Sequence, residues 1–180
     1  MSNIAIKGAA TGTGVFTLES PATNTNRTLT LPDEAGTMAL QGGAGVGKVL
    51  QVVSANTTTS VPTTSTSFVT TSFSASITPT SATSKIFIIV AGGVLRTSTT
   101  NQGYLTLYRD AINIGNATRG LYQVYSAGGS SDFPISISAY DAPATTSATA
   151  YTLYLRTSSG TSTFEVDAAI CTLTLMEIAA

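Results

Sequence analysis

The segment from Gly42 to Lys48 has the residue spacing of a phosphate-binding P-loop. In such a loop, backbone amides hold the phosphates and a hydroxyl residue directly after the lysine binds Mg²⁺. Val49 stands at that position, so the hydroxyl is missing. A P-loop must also open a helix whose N-terminus faces the phosphates, whereas residues 49–53 are strand-like. We therefore predict a glycine-rich hinge over residues 42–47, with no nucleotide and no other cofactor.

The residue types needed for nucleophilic or metal chemistry are scarce. The chain has no His and a single Cys, so a Ser or Cys nucleophile would need a Lys or a carboxylate as its base. No catalytic motif surrounds any of the lysines, which are Lys7, Lys48 and Lys85. Cys171 lies in an apolar strand pattern, where a free thiol usually packs as a small hydrophobic group. We predict no catalytic residues and no metal ligands.

Pairs of carboxylates are the remaining candidates for acid–base chemistry. Glycoside hydrolysis needs two carboxyl groups about 5 to 10 Å apart across a sugar cleft. Asp132 with Asp141, or Glu165 with Asp167, leave this chemistry open. Glu165 and Asp167 share one side of a strand, a pattern that is typical of the solvent-facing side of a sheet. The prediction is a protein that is not an enzyme, with a polysaccharide-degrading enzyme as a minor alternative.

The composition predicts that the elements are nearly all β-strands. The 180 residues include 33 Thr and 21 Ser but only 17 charged residues, and 42% are hydrophobic. That hydrophobic content argues against disorder, and the branched Cβ of Thr suits a pleated sheet. A net charge of −1 gives no reason to expect nucleic-acid binding. With so few charges, close self-association costs little electrostatically.

Strand patterns recur from residue 48 to the end of the sequence. Residues 86–95 are continuously apolar, which predicts a central strand covered on both sides. Residues 170–178 alternate with apolar side chains on both sides, which also predicts a buried strand. About eight strands separated by Gly, Asn, Ser and Pro turns are typical of a jelly-roll-like antiparallel β-sandwich over residues 48–180.

Residues 1–41 form short strand-like pieces broken by turn residues. So small a segment has too few large apolar side chains to hold a core by itself, so we expect a β-module that docks onto neighbouring molecules. Its first residues lack the basic start and apolar run of a signal peptide, and no stretch approaches about 18 apolar residues. We expect a soluble protein made in the cytosol, without membrane insertion.

Two sets of motifs resemble proteins of bacteriophage particles. Residues 12–18 and 21–37 resemble a short module near the N-termini of phage tail-fibre and other virion proteins. The remaining motifs resemble a second phage-associated pattern, and they are Gly47-Lys-Val-Leu-Gln-Val-Val, Thr66-Ser-Phe-Val, Ile77-Thr-Pro-Thr-Ser-Ala-Thr-Ser-Lys-Ile, Pro143-Ala-Thr-Thr-Ser-Ala-Thr-Ala-Tyr and Leu175-Met-Glu-Ile. The resemblance implies a virion location, a trimeric β-sandwich head and an N-terminal attachment module, and it implies no catalytic residue.

Two functions fit this resemblance. The first is a short homotrimeric tail fibre, with residues 1–41 bound to the tail or baseplate and residues 48–180 contacting the host surface. The second is a capsid decoration (cement) protein or head fibre, in which the first module grips the capsid and stabilises the shell. A fibre should display polar loops at a free tip, whereas a cement protein should bury its loops against the capsid.

The host-contact residues are expected in polar, glycine-rich loops between strands. From these loops and their borders we predict Arg119, Tyr122 and Asp132 as receptor-binding residues, with a host glycan or protein as the partner. The chain also contains seven tyrosines, whose rigid amphipathic rings can contact sugars or proteins. Packing within the sheets and between subunits is the ordinary role for such rings.

Overall fold

The computed structural model describes residues 48–98, 100–165 and 170–180, with the backbone alone at Glu165. The predicted N-terminal module at 1–41, the hinge at 42–47 and Asp167 lie outside the described residues. Within the described ranges the secondary structure is β-strand, and no helix occurs. The strands are β1 Val49–Thr57, β2 Val61–Thr63, β3 Val69–Ile77, β4 Lys85–Thr97, β5 Asn101–Arg109, β6 Ile112–Asn113, β7 Tyr122–Ser126, β8 Ser131–Asp141, β9 Thr149–Thr157, β10 Ser162–Glu165 and β11 Cys171–Ile178.

The strands form two antiparallel sheets, each four strands wide. In sheet A, β8 pairs along one edge of β4, while β11 and then β10 pair along the other edge. The outer edge of sheet A consists of β1, paired with β11, and β2, paired with β10. In sheet B the order is β3, β9 and β5, and β6 and β7 share the far edge of β5.

The pairing is that of a jelly roll. If β1 with β2, β6 with β7, and β10 with β11 are each counted as one interrupted strand, the domain has eight strands. The first then pairs with the eighth, the second with the seventh, the third with the sixth, and the fourth with the fifth. Such nested antiparallel pairing over two packed sheets defines the jelly-roll architecture. The predicted all-β sandwich is therefore confirmed, while the trimer stays a prediction.

The alternation of side chains along each strand builds the core between the sheets. Alternate side chains of β4 show this pattern, because Ile86, Ile88 and Val90 are fully buried between the sheets. Leu153 and Leu155 of β9 are buried against them from sheet B. Because β4 has neighbours on both edges, the predicted central position of residues 86–95 is confirmed. The predicted cover on both sides is not found within the chain, because Phe87 and Ile89 are only partly buried and Ala91 is exposed on the outward side.

A bulge at Gly92 and Gly93 interrupts β4 in the middle of sheet A. Both glycines have positive φ angles, 95° and 69°, which side-chain-bearing residues rarely adopt. A Cβ on Gly92 would collide with the backbone carbonyl oxygen of Ile170. The bulge lies between the stretch of β4 that pairs with β11 and the stretch that pairs with β10.

A charged cluster connects the two sheets at one end of the sandwich. Nη1 of Arg109 on β5 lies 2.9 Å from both carboxylate oxygens of Asp141 on β8, and the Tyr151 hydroxyl donates to the same carboxylate at 2.7 Å. The side chains of Arg109 and Asp141 are only 19% and 13% exposed. By contrast, Arg96 and Asp132 pair on the surface, with side chains 39% and 46% exposed.

These two ion pairs should contribute differently to stability. Asp141→Ala should lower the free energy of unfolding by about 2 to 3 kcal/mol, because it leaves a largely buried guanidinium and a buried phenol without their acceptor. Asp132→Ala should lower it by less than about 1 kcal/mol, because that pair is solvent-exposed. Urea unfolding at neutral pH measures both values. Equal losses for the two variants would contradict this account of the cluster.

Candidate functional site

The carboxylates of the described residues are occupied by structural contacts. Asp132 accepts two hydrogen bonds from Arg96, at 2.6 and 3.0 Å, and this hydrogen bonding lowers the pKa of Asp132. Asp141 is held by Arg109 and Tyr151. In the part of the chain that the structure describes, no group of three or more His, Cys, Asp or Glu side chains could hold a metal ion.

The most deeply buried carboxylate belongs to Glu177, on the core side of β11. Gln51 donates to it at 2.6 Å, and the backbone amide and hydroxyl of Thr80 donate at 2.7 and 2.8 Å. Burial alone would raise the pKa of Glu177, but these hydrogen bonds outweigh burial and lower it to about 2. Glu177 therefore fastens β1 and the β3–β4 connection to β11 as an anion at neutral pH, where it is a poor proton donor.

Cys171 is fully buried at the start of β11. Burial raises the pKa of its thiol to about 11, so the thiolate is scarce near neutral pH. Because the thiolate is the nucleophilic form, this environment suits the packing role predicted from the sequence and gives no support to covalent chemistry.

The three predicted contact residues lie in different settings. Arg119 is exposed between β6 and β7, and it donates to the outward-facing Gln123 of sheet B at 3.2 Å. Tyr122 packs partly against the core and donates to the carbonyl of Pro134 at 2.7 Å. Asp132 pairs with Arg96 on sheet A. Arg119 and Asp132 belong to the surfaces of different sheets, so the structure does not bring the three residues together in one site. Their role in receptor binding remains a prediction.

An apolar row crosses all four strands on the outward side of sheet A. Val52 on β1 opposes Met176 on β11. On the other side of β11, Met176 opposes Phe87 on β4, which in turn opposes Tyr140 on β8. Val52 and Tyr140 are 56% and 63% exposed, high values for apolar and aromatic side chains within strands. Val49 on β1 and Ile178 on β11 form a neighbouring pair on the same side of the sheet. We call this surface the apolar stripe, and it consists of Val49, Val52, Phe87, Tyr140, Met176 and Ile178.

The surroundings of the apolar stripe are nearly uncharged. The next outward rows along the strands carry Ser54, Thr174 and Ser138 beside Ile89, and then further small polar residues. Lys85 opposes Ile178 at the other side of the stripe. The domain also begins and ends at this side, because the amide of Ala179 donates to the carbonyl of Lys48 at 2.8 Å. A contiguous apolar surface of this kind commonly marks a protein contact.

The outward side of sheet B carries a different surface, centred on Arg156 of β9. Its guanidinium lies over the Tyr104 ring, with Cζ 4.0 Å from the ring centroid, and 5.4 Å from that of Phe68. Nη1 donates to the Thr66 carbonyl at 3.0 Å, and Nη2 donates to the Thr118 carbonyl. These groups border a surface depression of about 290 Å³. We call it the Arg156 pocket, and it is lined by Thr66, Phe68, Tyr108, Ala117, Thr118 and Arg156.

The Arg156 pocket was not predicted as a site from the sequence. In the sequence, the alternation of side chains along a strand puts Tyr104 and Tyr108 on one side of one strand. It puts Tyr154 and Arg156 on one side of another strand. The structure joins these two sides, because Tyr104 opposes Arg156 and the rings of Tyr108 and Tyr154 stack with centroids 4.0 Å apart. An outward arginine among outward tyrosines was the signal that could have identified the pocket.

No protein-family model matches the chain, and a search of curated proteins also finds no match. The described residues contain no helix that could span a membrane.

The carboxylate of Glu177 should make the stability of the domain depend on acid. Its folded-state pKa of about 2 lies below the ordinary value of 4.5, so its contribution is complete above about pH 4.5 and is lost as the pH falls towards 2. Urea unfolding between pH 2 and pH 6 should show a falling midpoint across this window. Glu177→Gln should be less stable at pH 6 and should show a flatter pH dependence. An unchanged slope in this variant would contradict the assignment to Glu177.

Proposed function

We propose that this chain is a non-enzymatic structural subunit of a bacteriophage particle, a short homotrimeric tail fibre. Residues 1–41 attach it to the tail or baseplate, and residues 48–180 form the head that contacts the host surface. The phage-like motifs quoted above support the location in the virion, and the jelly-roll sandwich suits a role in assembly. Fold alone assigns no function, so the proposal depends on surfaces and not on architecture.

The observation that carries the assembly part of the proposal is the apolar stripe. Val52 and Tyr140 expose large apolar surfaces near the two edges of the same sheet, with Met176 and Phe87 between them. Covering this area with another protein surface removes apolar area from water, at about 25 cal/mol per Å². We assign the stripe to contacts between copies of this chain, while the number three comes from the resemblance.

A second copy is the occupant that the charges favour. Two charged residues, Glu177 and Lys85, lie on β1, β11 and the first half of β4. The Glu177 side chain is buried towards the core, and the Lys85 side chain lies on the outward side beside the stripe. Identical surfaces can meet closely when few like charges face each other. A strongly charged partner would find few complementary charges directly beside the stripe. Assembly also multiplies weak host contacts, because linked sites gain avidity without new chemistry in each site.

The contacts of the carboxylates support the non-enzymatic part of the proposal. Asp132 and Asp141, one of the pairs considered for glycoside hydrolysis, each bind an arginine. An acid catalyst of this class needs a raised pKa, whereas hydrogen bonding to Arg96 lowers that of Asp132.

Charged substitutions in the apolar stripe should dissociate the trimer. Val52→Asp and Tyr140→Asp replace exposed side chains, so the subunit should still fold while the apolar contact acquires buried, unpaired charges. Light scattering coupled to size exclusion should report a trimer for the unaltered chain and monomers for the variants. Ser76→Glu, at an exposed position on the outward side of sheet B, is the matched control and should remain trimeric. An unaltered chain that is monomeric at micromolar concentration would refute the assembly proposal.

Location in the particle separates the tail fibre from the capsid alternative. An antibody fragment specific for this chain should label the tail in electron cryomicroscopy of intact phage particles. Label spread over the head would instead favour a decoration protein that stabilises the shell. Particles without label, from a phage whose genome encodes this chain, would refute a structural role in the virion.

A further inference from the structure

We propose that the Arg156 pocket binds a carboxylate-bearing saccharide, such as a uronic or sialic acid unit of a glycan. The inference deepens the host-contact part of the proposed function and depends on it only for the biological source of the glycan. The pocket lies on sheet B, away from the apolar stripe, and its lining includes none of the three contact residues predicted from the sequence. Its chemistry can therefore be tested on the isolated chain.

The first argument is the charge of the pocket. No carboxylate among the described residues pairs with Arg156, although Arg96 and Arg109 both have such partners. The strands β3, β5, β7 and β9 contain no acidic residue, so the surface around Arg156 has no negative charge to offset it. Arg119 follows Thr118 directly and is exposed at the margin. An uncompensated cationic depression favours an anionic ligand.

The second argument is that Arg156 is held in place before any ligand binds. The carbonyls of Thr66 and Thr118 fix the two terminal nitrogens from opposite loops, and the Tyr104 ring supports the guanidinium plane. Each terminal nitrogen carries a second N–H, and a guanidinium edge presents such groups to a carboxylate in matching geometry. A side chain already fixed in this way loses little conformational entropy on binding.

The third argument is an internal cost that the fold alone does not explain. Nε of Arg156 is buried and has no hydrogen-bond acceptor among the described residues. Burying an unsatisfied donor of a charged group costs about 1 to 3 kcal/mol or more, which offsets part of what the two carbonyl hydrogen bonds of Arg156 contribute to the fold. Keeping a guanidinium here is understandable if its outer edge binds a ligand.

The fourth argument selects a saccharide among the anions. Tyr108 and Phe68 contribute aromatic rings to the lining, and Thr66 and Thr118 are among its polar residues. Sugar rings present C–H groups that pack on aromatic faces, while their hydroxyls pair with threonine side chains and surrounding water. An inorganic anion would use the arginine and leave the rings without a role. A volume of about 290 Å³ is close to the lower bound for small-molecule sites and suits one or two sugar units.

The test uses the full chain and two matched pairs of probes. Trigalacturonate and its methyl ester differ only by the methyl groups that remove the carboxylate charges, and sialyllactose and lactose differ by the acidic sugar. We expect at least one acidic probe to bind in calorimetric or NMR titrations at up to about 10 mM, with its neutral counterpart at least tenfold weaker. Added salt should weaken the acidic probe, because the contact is electrostatic. Failure of both acidic probes to bind, or equal binding of a probe and its neutral counterpart, would overturn the inference.

Variants locate the binding in the Arg156 pocket. Arg156→Gln should reduce binding of the acidic probe by about tenfold or more, because a charge-assisted hydrogen-bond donor is removed. As this change also loosens two loops, Ala117→Glu provides a second test at an exposed position, with Ala117→Gln as its neutral isostere. The Glu variant should bind much more weakly than the Gln variant, and Ser76→Glu should bind like the unaltered chain. Equal binding by the Glu and Gln variants would place the ligand elsewhere.

The same titrations separate this inference from the virion assignment. Binding that depends on Arg156, together with particles that carry no label, would support the saccharide site and refute the structural role. Label at the tail with no acidic saccharide bound would refute the site and leave the fibre assignment supported.

Discussion

The pairing of β1 with β11 joins the start of the described domain to its end, and the rest of the sandwich depends on this closure. The other strand pairs are nested within this one along the sequence. Among the described strands, only the pairs of β5 with β6 and of β5 with β7 join near neighbours in sequence. The entropy of closing such long loops is recovered only when both sheets form, so the domain should fold as one cooperative unit. The closure also brings Lys48 and Ala179 together beside the apolar stripe, the face assigned to subunit contacts.

The few charges of the domain secure connections that backbone pairing cannot make. Asp141 ties sheet A to Arg109 and Tyr151 of sheet B, and Glu177 ties β1 to the β3–β4 connection. Arg156 differs from both, because it holds its two loops through carbonyl oxygens and keeps its full charge. A charge paired inside the fold is costly to unpair, whereas one left without a counter-charge at the surface remains available to a ligand.

The sequence was sufficient for the sandwich and for about eight of its eleven described strands, because side-chain alternation and the apolar run over residues 86–95 are local signals. The short strands β2, β6 and β10 carry too few residues for such a signal. Register is not local. The pairing of Arg96 with Asp132 follows from how β8 aligns with β4, and this alignment depends on the bulge at Gly92 and Gly93. The apolar stripe likewise needs the alignment of four strands before its members become neighbours. The Arg156 pocket escaped prediction because its decisive acceptors are the backbone carbonyls of Thr66 and Thr118, which no residue type reveals.

The two outward faces of the sandwich differ in chemistry, and their positions make the two proposals compatible. The apolar stripe lies on sheet A and the Arg156 pocket on sheet B, so the thickness of the core, about 10 Å between packed sheets, separates them. Contacts between copies through sheet A would leave sheet B free in every subunit. Each assembled head would then present several identical cationic pockets, and weak binding of a repeating acidic glycan would be multiplied by avidity. A single subunit with a small, open pocket gains little from such a ligand, which explains why an adhesion surface of this kind requires assembly.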